Sequence, residues 1–439
     1  MNTIYALSSA AGRAGVAVIR LSGDQSRDAV MALTGQPLPA ARQARLTRFI
    51  NPTTRQPIDR GLLLWFEGPA SFTGEDVAEL HLHGGRAVVN AMLAALAGIE
   101  GLRAAEPGEF TRRAFEQGKL DLTEVEGLAD LINADTEGQR RQALRQMEGA
   151  LGQLYESWRV RLIRLLAYAE AEIDFPDEDL PDSLMARLGP EIADLGHAIQ
   201  KHLDDGGRGE RLRDGVEIAI IGPPNVGKSS LRNALAGRDV AIVSDEAGTT
   251  RDVLEVRLDL GGVPVTLADT AGLREAAGAI EQEGVRRALQ RAEAADVRLL
   301  VAAPGPDGQM LGNHDLALEG DILVWNKQDL GAAPVGVSVS VCASNGEGID
   351  ALLDLLAQRV GFVYEAVEHP MITRARHREG LKACVAHLEL VSTGLATQQP
   401  VELLAEDLRL AGRSLGRITG RVDIEDLLDV VFRDFCIGK

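Results

Sequence analysis

Four short segments in a fixed order constrain this chain of 439 residues more than any other feature. They are Gly222-Pro-Pro-Asn-Val-Gly-Lys-Ser229, Gly248-Thr249-Thr250, Asp269-Thr-Ala-Gly272 and Asn326-Lys-Gln-Asp329. The first segment lies between an apolar run at 216–221 and a helix-like run at 229–235. In that context backbone N–H groups and a helix N-terminus face bound phosphates. Each segment covers a different part of a nucleotide, so together they predict a GTP-binding domain.

The side chains of these segments have distinct expected roles. Lys228 reaches the terminal phosphates, and the hydroxyls of Ser229 and Thr250 are magnesium ligands. Asp269 ends an apolar strand over 265–268 and holds a magnesium-bound water. Asp329 follows a strand over 322–325 and accepts hydrogen bonds from N1–H and the 2-amino group of guanine, two donors that adenine lacks. The residues predicted to contact GTP are Asn225, Val226, Gly227, Lys228, Ser229, Ser230, Ser244, Asp245, Glu246, Ala247, Gly248, Thr249, Thr250, Asp269, Thr270, Ala271, Gly272, Asn326, Lys327, Gln328 and Asp329.

The residue that orients the attacking water in Ras-like enzymes is replaced in this chain. A glutamine is expected directly after Gly272, but the chain has Leu273, which cannot hold a water molecule. The side-chain amide of Asn225 could instead coordinate a monovalent cation beside the phosphates. Glu281 could orient or activate water, although Glu283 and other carboxylates nearby leave that choice open.

The composition is that of a soluble protein with two to four domains. Hydrophobic residues make up 45% and charged residues 25%, and the net charge is −19. Such an acidic chain can bind RNA only through a local basic face. No window approaches 18 uninterrupted apolar residues, no leader sequence is recognisable, and the three cysteines are widely spread. We therefore expect a cytoplasmic protein without a membrane span or a disulfide framework.

Periodicity divides the chain into four parts. Residues 1–118 alternate short strands with a helix over 87–96 and predict a small α/β domain, with strands at 16–21, 61–66 and 77–82. Residues 119–214 and 371–439 have helical spacing, and glycine-rich 206–214 suggests a hinge into a nucleotide domain over 215–370. The expected fold is multidomain α/β plus all-α, with a P-loop (Ras-like) GTPase domain inserted in a discontinuous helical domain.

Further motifs lie outside the nucleotide segments. They are Ile19-Arg20-Leu21-Ser22-Gly23, Ser71-Phe-Thr-Gly-Glu-Asp76, His83-Gly-Gly85, Pro107-Gly-Glu-Phe110, Lys119-Leu-Asp-Leu122 and the C-terminal Phe435-Cys436-Ile437-Gly438-Lys439. With a GTPase domain inserted after about 215 residues, the chain closely resembles the MnmE (also TrmE) family of tRNA-modification GTPases over its whole length.

The resemblance implies a folate site and a cation site. The N-terminal domain is expected to dimerise and to bind 5-formyl-tetrahydrofolate or a related one-carbon folate through Arg20, Glu79, Lys119 and Lys439. A carboxylate suits the amino-pyrimidine donors of the pterin, and cations suit its glutamate tail. The positions that match the potassium ligands of the family are Asn225, Ser244, Glu246 and Thr249. Glu281 matches the catalytic glutamate of the family.

The resemblance also implies a partner and a substrate. The partner is the flavoprotein MnmG, which carries FAD and forms a heterotetramer with this chain. The complex installs an aminomethyl or carboxymethylaminomethyl group on C5 of the wobble uridine of certain tRNAs. One departure from the family pattern is Cys342-Ala343, where Ser-Ala is expected before the base-clamping loop. The backbone N–H of the alanine is expected to contact the base.

Several alternatives remain open from the sequence. A ribosome-assembly or signalling GTPase would share the nucleotide segments, and an ATPase would require that Asp329 does not read the base. Cys436 is either a buried hydrophobe or a contributor to chemistry near the folate. His81 and His83 lie on one side of a strand, but no third ligand is close in sequence. An arginine stripe, formed by Arg409, Arg413, Arg417 and Arg421, either pairs with carboxylates or meets RNA phosphates.

Overall fold

The computed structural model describes residues 2–174, 183–242, 256–269, 295–305, 309–312, 317–318, 320–361 and 370–422, together with residues 428, 431, 432, 435 and 438. The chain divides into two compact units. The first unit comprises residues 1–129, 147–160 and 412–439, and the second comprises residues 130–146 and 161–411.

The first unit contains a six-stranded sheet in the order β3-β4-β5-β2-β1-β6. Its strands are β1 (Thr3–Leu7), β2 (Ala14–Ser22), β3 (Arg45–Ile50), β4 (Pro57–Phe66), β5 (Val77–Gly84) and β6 (Leu102–Ala104). The helices α1 (Ser26–Thr34) and α2 (Arg86–Ala97) contribute to a core that buries alternate strand residues, among them Ile19, Leu63 and Leu80. The three strands and the helix predicted for residues 1–118 are confirmed.

Part of this sheet carries apolar side chains in solvent. Leu46 of β3 lies directly opposite Leu62 of β4, and these side chains are 56% and 40% exposed. Elsewhere the helix α3 (Glu109–Glu116) places Phe110 in a small buried cluster with Ile4 and Ala6 of β1. The sheet therefore combines a buried core with an exposed apolar pair.

Residues from two distant parts of the chain form a second core in the first unit. Leu122 and Val125, in α4 (Leu122–Ile132), cluster with Leu428, Phe432 and Phe435. These C-terminal residues therefore pack against the helix that begins at Leu122. The long helix α6 (Ala150–Asp174) buries one apolar stripe, which includes Leu151, Trp158, Leu162 and Leu165.

The helices α5 (Glu137–Met147), α7 (Ser183–Leu203) and α8 (Arg208–Asp214) belong to the second unit. The expectation of a hinge over 206–214 is wrong for residues 208–214, because these residues form α8. Gly206 and Gly207 adopt left-handed backbone angles just before the helix, and Leu212 is fully buried in the core of the nucleotide domain. After that domain follow α11 (Ala375–Ala396), which packs against α7, and α12 (Val401–Thr419).

The nucleotide domain is built on a second sheet, in the order β13-β12-β10-β7-β9-β8, with β11 paired to β10. Its strands are β7 (Val216–Ile221), β8 (Val256–Leu260), β9 (Val263–Asp269), β10 (Val297–Pro304), β11 (Met310–Leu311), β12 (Ile322–Trp325) and β13 (Val339–Ser340), and its described helices are α9 (Lys228–Ala236) and α10 (Ile349–Gly361). β7, β9, β10, β12 and β13 are parallel. Parallel strands end at one edge of a sheet, so the segments that follow β7, β9 and β12 meet there.

The predicted architecture is confirmed: a P-loop GTPase domain is inserted in a discontinuous helical domain and preceded by a small α/β domain. Strands predicted at 216–221 and 322–325 have the same bounds in the structure. Within the described ranges, every helix is too short or too polar to cross a membrane.

Candidate guanine-nucleotide site

The phosphate-binding loop leaves β7 at Gly222 and enters α9 at Lys228. A Cβ atom on Gly222 would lie 2.4 Å from the carbonyl oxygen of Val301, so the neighbouring strand excludes a side chain there. Gly227 has a φ of +92°, and a Cβ on it would lie 2.4 Å from the side-chain nitrogen of Asn326. Asn225 also has a positive φ, of 66°, which asparagine tolerates better than most residues. The backbone of this loop therefore requires glycine at positions 222 and 227 and accommodates asparagine at position 225.

Lys228 lies at the start of α9 and is 8% exposed. Its ammonium group donates hydrogen bonds to the carbonyl oxygens of Gly222 at 2.8 Å and Pro223 at 2.9 Å. The cation is thus held across the loop at the positive end of a helix dipole. A phosphate placed there would meet both the ammonium group and backbone N–H donors.

Asp269 is brought to the same edge of the sheet. Its backbone pairs in register with Ile220, two residues before the phosphate loop begins. The side chain of Asp269 lies outside the described part of the chain. The hydroxyl of Ser229 belongs to the first turn of α9. Hydroxyl and carboxylate oxygens are hard ligands of the kind magnesium prefers, so the residue types at this edge fit that ion.

The base-reading segment braces the phosphate loop. Asn326 is 1% exposed, and its amide nitrogen donates to the carbonyl oxygen of Val226 at 2.8 Å. The ammonium group of Lys327 donates to the carbonyl oxygen of Asn225 at 2.7 Å. These bonds tie the segment after β12 to the loop after β7, so the sites for base and phosphates are fixed relative to each other.

Asp329 has a neighbour that sequence reasoning did not identify. The thiol of Cys342 donates to Asp329 Oδ1 over 3.1 Å and lies 3.1 Å from the hydroxyl of Ser344. Cys342 stands where the family pattern has serine, and its buried thiol acts as a hydrogen-bond donor there. The backbone N–H of Ala343, expected to contact the base, donates instead to Asn326 Oδ1 at 3.1 Å. The sequence shows a cysteine at 342 and an aspartate at 329, but their contact depends on the tertiary fold.

The structure brings together part of the predicted site. Asn225, Val226, Gly227, Lys228, Ser229, Ser230, Asn326, Lys327, Gln328 and Asp329 lie in the phosphate and base segments. The other predicted residues lie outside the described part of the chain: Ser244, Asp245, Glu246, Ala247, Gly248, Thr249, Thr250, Thr270, Ala271, Gly272, Leu273, Glu281, Glu283, Cys436 and Lys439. Their roles remain predictions.

A second polar pocket lies in the first unit, where Arg20 of β2 faces Glu79 of β5. The guanidinium donates through Nε at 3.1 Å and Nη2 at 2.9 Å to the same oxygen, Glu79 Oε1. Arg20 also lies over the rings of Phe72 and Phe110, at 5.6 and 5.7 Å from their centroids. This arrangement leaves Glu79 Oε2 to other donors, one of which is His81 Nε2 at 3.3 Å.

The cavity beside this pair has a volume of about 320 Å³. Its lining combines aromatic, cationic and carboxylate groups from Arg20, Arg42, Phe66, Ser71, Phe72 and Glu79. Arg42 and Phe72 were not identified from the sequence as lining residues. An aromatic heterocycle with amino groups fits this lining, because rings can stack on it and donors can meet Glu79.

Of the two further predicted folate positions, Lys119 belongs to the described part of the chain and Lys439 does not. Lys119 is exposed, and its side chain approaches Gly74 in the loop before β5. The C-terminal motif reaches the sheet through Gly438, on which a Cβ would lie 2.2 Å from the carbonyl oxygen of Leu7. Leu7 ends β1, whose neighbouring strand β2 carries Arg20. The structure therefore brings Gly438 to this sheet, while Lys439 itself lies outside the description.

A buried ion network supports the wall of this pocket. The guanidinium of Arg113 bonds Glu75 at 2.9 Å and Glu109 at 3.0 Å, and Glu109 is also bound by the fork of Arg103. Burial by itself would raise the pKa of Glu109, but hydrogen bonds from Arg103, from the Glu106 backbone and from Arg113 lower it below its ordinary value. The network fixes α3, and with it Phe110, against β2.

Other candidate groups have partners inside the protein. His83 Nδ1 is 2.9 Å from Asp59, and among the described residues no cluster of histidine, cysteine and carboxylate groups could hold a metal ion. Arg409 pairs with Glu406 and with Glu170, and Arg421 pairs with Glu156 at 3.2 Å. These contacts favour the carboxylate-pairing interpretation for the two ends of the arginine stripe.

Comparisons with known proteins identify relatives of the chain. Residues 122–436 match the family model described as the MnmE helical domain, and residues 3–119 match the GTP-binding protein TrmE N-terminus. The tRNA modification GTPase MnmE of Parvibaculum lavamentivorans is 70% identical, with 100% of each chain covered. That of Paramagnetospirillum magneticum is 54% identical, covering 100% of this chain and 99% of the relative. The FeoB G-domain from Methanococcus jannaschii covers 33% of this chain and 98% of that chain at 25% identity, but its TM-score of 0.25 is too low for argument.

Proposed function

The chain belongs to the MnmE family of tRNA modification GTPases, and we propose that potassium stimulates its GTP hydrolysis and that it uses a folate-borne one-carbon unit. The chain is a GTP hydrolase that acts in tRNA modification. The proposed product carries an aminomethyl or carboxymethylaminomethyl group on C5 of the wobble uridine. The observation that supports the GTP-hydrolase role is the bracing of the base-reading segment against the phosphate loop by Asn326 and Lys327.

GTP recognition is assigned to two parts of this site. The carboxylate of Asp329 accepts the N1–H and 2-amino donors of guanine, and ATP offers neither. Lys228 and the N-terminus of α9 bind the phosphates. Magnesium, when bound through Ser229, Thr250 and a water held by Asp269, neutralises charge on the phosphate oxygens. The chain itself positions the bound phosphates, because Gly222 and Gly227 set the conformation of the phosphate loop before any ligand arrives.

The potassium proposal concerns Asn225. Its backbone carbonyl already accepts the Lys327 ammonium group, whereas its exposed side-chain amide makes no hydrogen bond within the described residues. That amide oxygen is available to a monovalent cation beside the phosphates, with Ser244, Glu246 and Thr249 as further ligands. A cation there would stabilise charge that develops on the phosphates, the role an arginine finger has in other GTPases. Glu281 is proposed to orient the attacking water in place of Leu273.

The folate proposal rests on the cavity beside Arg20 and Glu79. Glu79 Oε2 can accept from the amino-pyrimidine edge of a pterin, and Phe72 supplies an aromatic face. Lys119 and Lys439 are proposed to bind the glutamate tail of 5-formyl-tetrahydrofolate. Cys436, in the C-terminal motif, is a candidate for chemistry near the one-carbon group. If Cys436 has that role, a Cys436→Ser variant will modify less tRNA while its GTP turnover stays normal.

The proposed assembly is a homodimer joined to the flavoprotein MnmG in the cytoplasm. The exposed pair Leu46 and Leu62 supports self-association through the N-terminal domain, since a second copy would remove both side chains from water. FAD is proposed to reside on the partner and not on this chain. The net charge of −19 requires that tRNA is bound through a local basic face or through the partner.

The deciding experiment compares GTP turnover in potassium and in sodium for the wild type and for Asn225→Ala. We expect turnover in potassium to exceed that in sodium by at least about tenfold, and we expect Asn225→Ala to abolish the difference. Asn51→Ala, which changes an asparagine of the first unit, is the matched control and should retain the full potassium response. Equal turnover of the wild type in the two salts would refute the cation proposal, while the assignment of the GTP site would stand.

A further inference from the structure

The tip of the β8–β9 hairpin is a tight, well-defined turn. Leu260 pairs with Val263, and the turn between them consists of Gly261 and Gly262, with φ of +64° and +91°. Positive φ at both residues matches the right-handed twist of a two-residue hairpin. The N–H of Gly262 donates to Asp259 Oδ1 at 2.7 Å, which fixes the turn further. The direction in which the carbonyl of Gly262 points is therefore set by the hairpin.

The hairpin tip contacts the start of α5. Thr136 Oγ1 donates to the carbonyl oxygen of Gly262 at 2.6 Å. A Cβ on Gly138 would lie 2.2 Å from the same oxygen, so glycine is required for this close approach. Arg257 of β8 adds an ion pair with Asp135 at 3.3 Å. The Thr136 hydroxyl, the close approach at Gly138 and the ion pair of Arg257 together hold the hairpin tip against the start of α5.

The residues that lead into and out of the nucleotide domain contact the same stretch of chain, residues 130–139. Asp130 Oδ1 accepts from Arg213 Nε at 3.0 Å and from Arg374 Nη2 at 2.8 Å. Arg213 lies three residues before β7, and Arg374 immediately precedes α11. Gln139 Nε2 also donates to the carbonyl oxygen of Arg213 at 2.8 Å. Residues 130–139 therefore contact the entry, the exit and the hairpin of the domain.

These contacts lie at the end of the sheet opposite to the nucleotide. β9 starts at Val263, next to the hairpin tip, and ends at Asp269, which is one of the nucleotide segments. Its seven residues span roughly 20 Å at the rise of a strand. β9 is paired with β7 and with β8, so this strand is a continuous hydrogen-bonded connection between Asp269 and the hairpin tip at Gly262.

We propose that Thr136 and Gly138 are positioning residues through which GTP hydrolysis drives tRNA modification. They act through the Gly262 carbonyl and β9, and they touch neither nucleotide nor tRNA. Removing the contact should uncouple the two processes: GTP is still hydrolysed, but less tRNA is modified per GTP. The inference rests on the proposed function, because it requires that the wild type modifies tRNA in the assay.

The test measures GTP turnover and modified tRNA together, with the full-length chain, MnmG and substrate tRNA. Gly138→Ala should leave GTP turnover within about twofold and lower the modified tRNA per GTP by about fivefold or more. Alanine strengthens the helix itself, so a loss cannot come from weakening α5. Thr136→Val should give the same loss, and Thr136→Ser, which keeps the hydroxyl, should restore coupling.

Gly412→Ala is the matched control, because Gly412 lies inside α12 and a Cβ there meets nothing within 4 Å. It should leave both activities unchanged. If Gly138→Ala keeps the normal ratio of modified tRNA to GTP, or if it lowers both activities in parallel, the inference is overturned. A wild type that modifies no tRNA would instead count against the proposed function, so the two failures are distinguishable.

Discussion

The side-chain amide of Asn326 donates a hydrogen bond to the carbonyl oxygen of Val226 at 2.8 Å. Asn326 belongs to the base-reading segment and Val226 to the phosphate loop, and the two residues are 100 positions apart in sequence. Its carbonyl oxygen accepts a second bond from the backbone of Ala343. One buried side chain therefore joins three loops, and the geometry of the whole nucleotide pocket depends on it.

Replacing Asn326 by alanine should weaken nucleotide binding more than it changes the fold elsewhere. The buried carbonyl of Val226 would lose its partner, at a cost of about 1–3 kcal/mol, and the partly buried N–H of Ala343 would lose its acceptor. We expect the GDP dissociation constant to rise by roughly tenfold or more. Titration calorimetry with magnesium present measures this directly. Asn51→Ala, which removes an exposed side-chain acceptor from the Thr53 and Thr54 N–H groups in the first unit, is the control, and equal affinities for the two variants would contradict the bracing role.

The thiol of Cys342 predicts a graded effect on guanine recognition. Cys342→Ala removes the donor that holds Asp329 Oδ1, so the carboxylate loses orientation, and we expect about 2–10-fold weaker GDP binding. Cys342→Ser keeps a donor and should stay within about twofold of the wild type. The maximal rate of GTP hydrolysis should not change, because the contact is remote from the phosphates. Alanine and serine variants with the same affinity would show that the thiol does not position Asp329.

The sequence was sufficient to predict six of the strands, among them β7, β9 and β12, as well as the nucleotide segments and the insertion of the GTPase domain. Those features depend on local patterns: an apolar run that ends at Gly222 or Asn326 predicts a strand followed by a loop whatever the rest of the chain does. The helix α8 was misjudged because glycine and charge suggest a turn locally. The burial of Leu212 in the core of the nucleotide domain, which favours the helix, is a tertiary effect.

The contacts that position the site could not be predicted in the same way. Cys342 meets Asp329 because β12 and β13 are adjacent, and Thr136 meets Gly262 across 126 positions of sequence. Neither contact has a periodicity or a spacing that reveals it. From residue identities alone, Cys342 is a departure from the family pattern and Thr136 has no predicted role, because the fold decides which hydrogen-bond partners meet.

Glu79 provides the test of the folate cavity. Glu79→Gln keeps the shape of the side chain but removes the charge that pairs with Arg20, and an amide offers a weaker acceptor to the pterin. We expect affinity of the full-length protein for 5-formyl-tetrahydrofolate to fall by about tenfold, with GTP turnover unchanged. Fluorescence or calorimetric titration measures the affinity. Glu67→Gln, at a 63% exposed side chain, should bind the folate normally, and unchanged binding by Glu79→Gln would exclude this cavity as the site.

The arginine stripe should contribute little to RNA binding at its ends. Arg409 and Arg421 already pair with carboxylates on other helices. Surface pairs of this kind contribute little to stability, so alanine at both positions should be tolerated. We expect tRNA affinity to change by less than about twofold and its salt dependence to keep the same slope. A shallower slope for the double variant would show that these guanidiniums contact phosphates.

His202 predicts how stability depends on pH. Burial lowers the pKa of this imidazole from 6.5 to about 4, with Arg378 and His377 contributing in the same direction and Asp205 opposing them. The unfolded chain therefore binds a proton between pH 6.5 and 4 that the folded chain does not. Stability from this group is fully present above pH 6.5 and is lost progressively as the pH falls towards 4.

From pH 7 to pH 5 the loss amounts to about 2 kcal/mol, because one pKa unit corresponds to about 1.4 kcal/mol. His202→Gln cannot take up that proton, so its thermal midpoint should fall less than that of the wild type between these two pH values. His197→Gln, at a histidine in the same helix α7, is the control and should show the steeper wild-type fall. Parallel pH profiles for the wild type and His202→Gln would mean that the pKa of the imidazole is the same in the folded and unfolded protein, because a group that binds the same number of protons folded and unfolded makes no contribution to the slope.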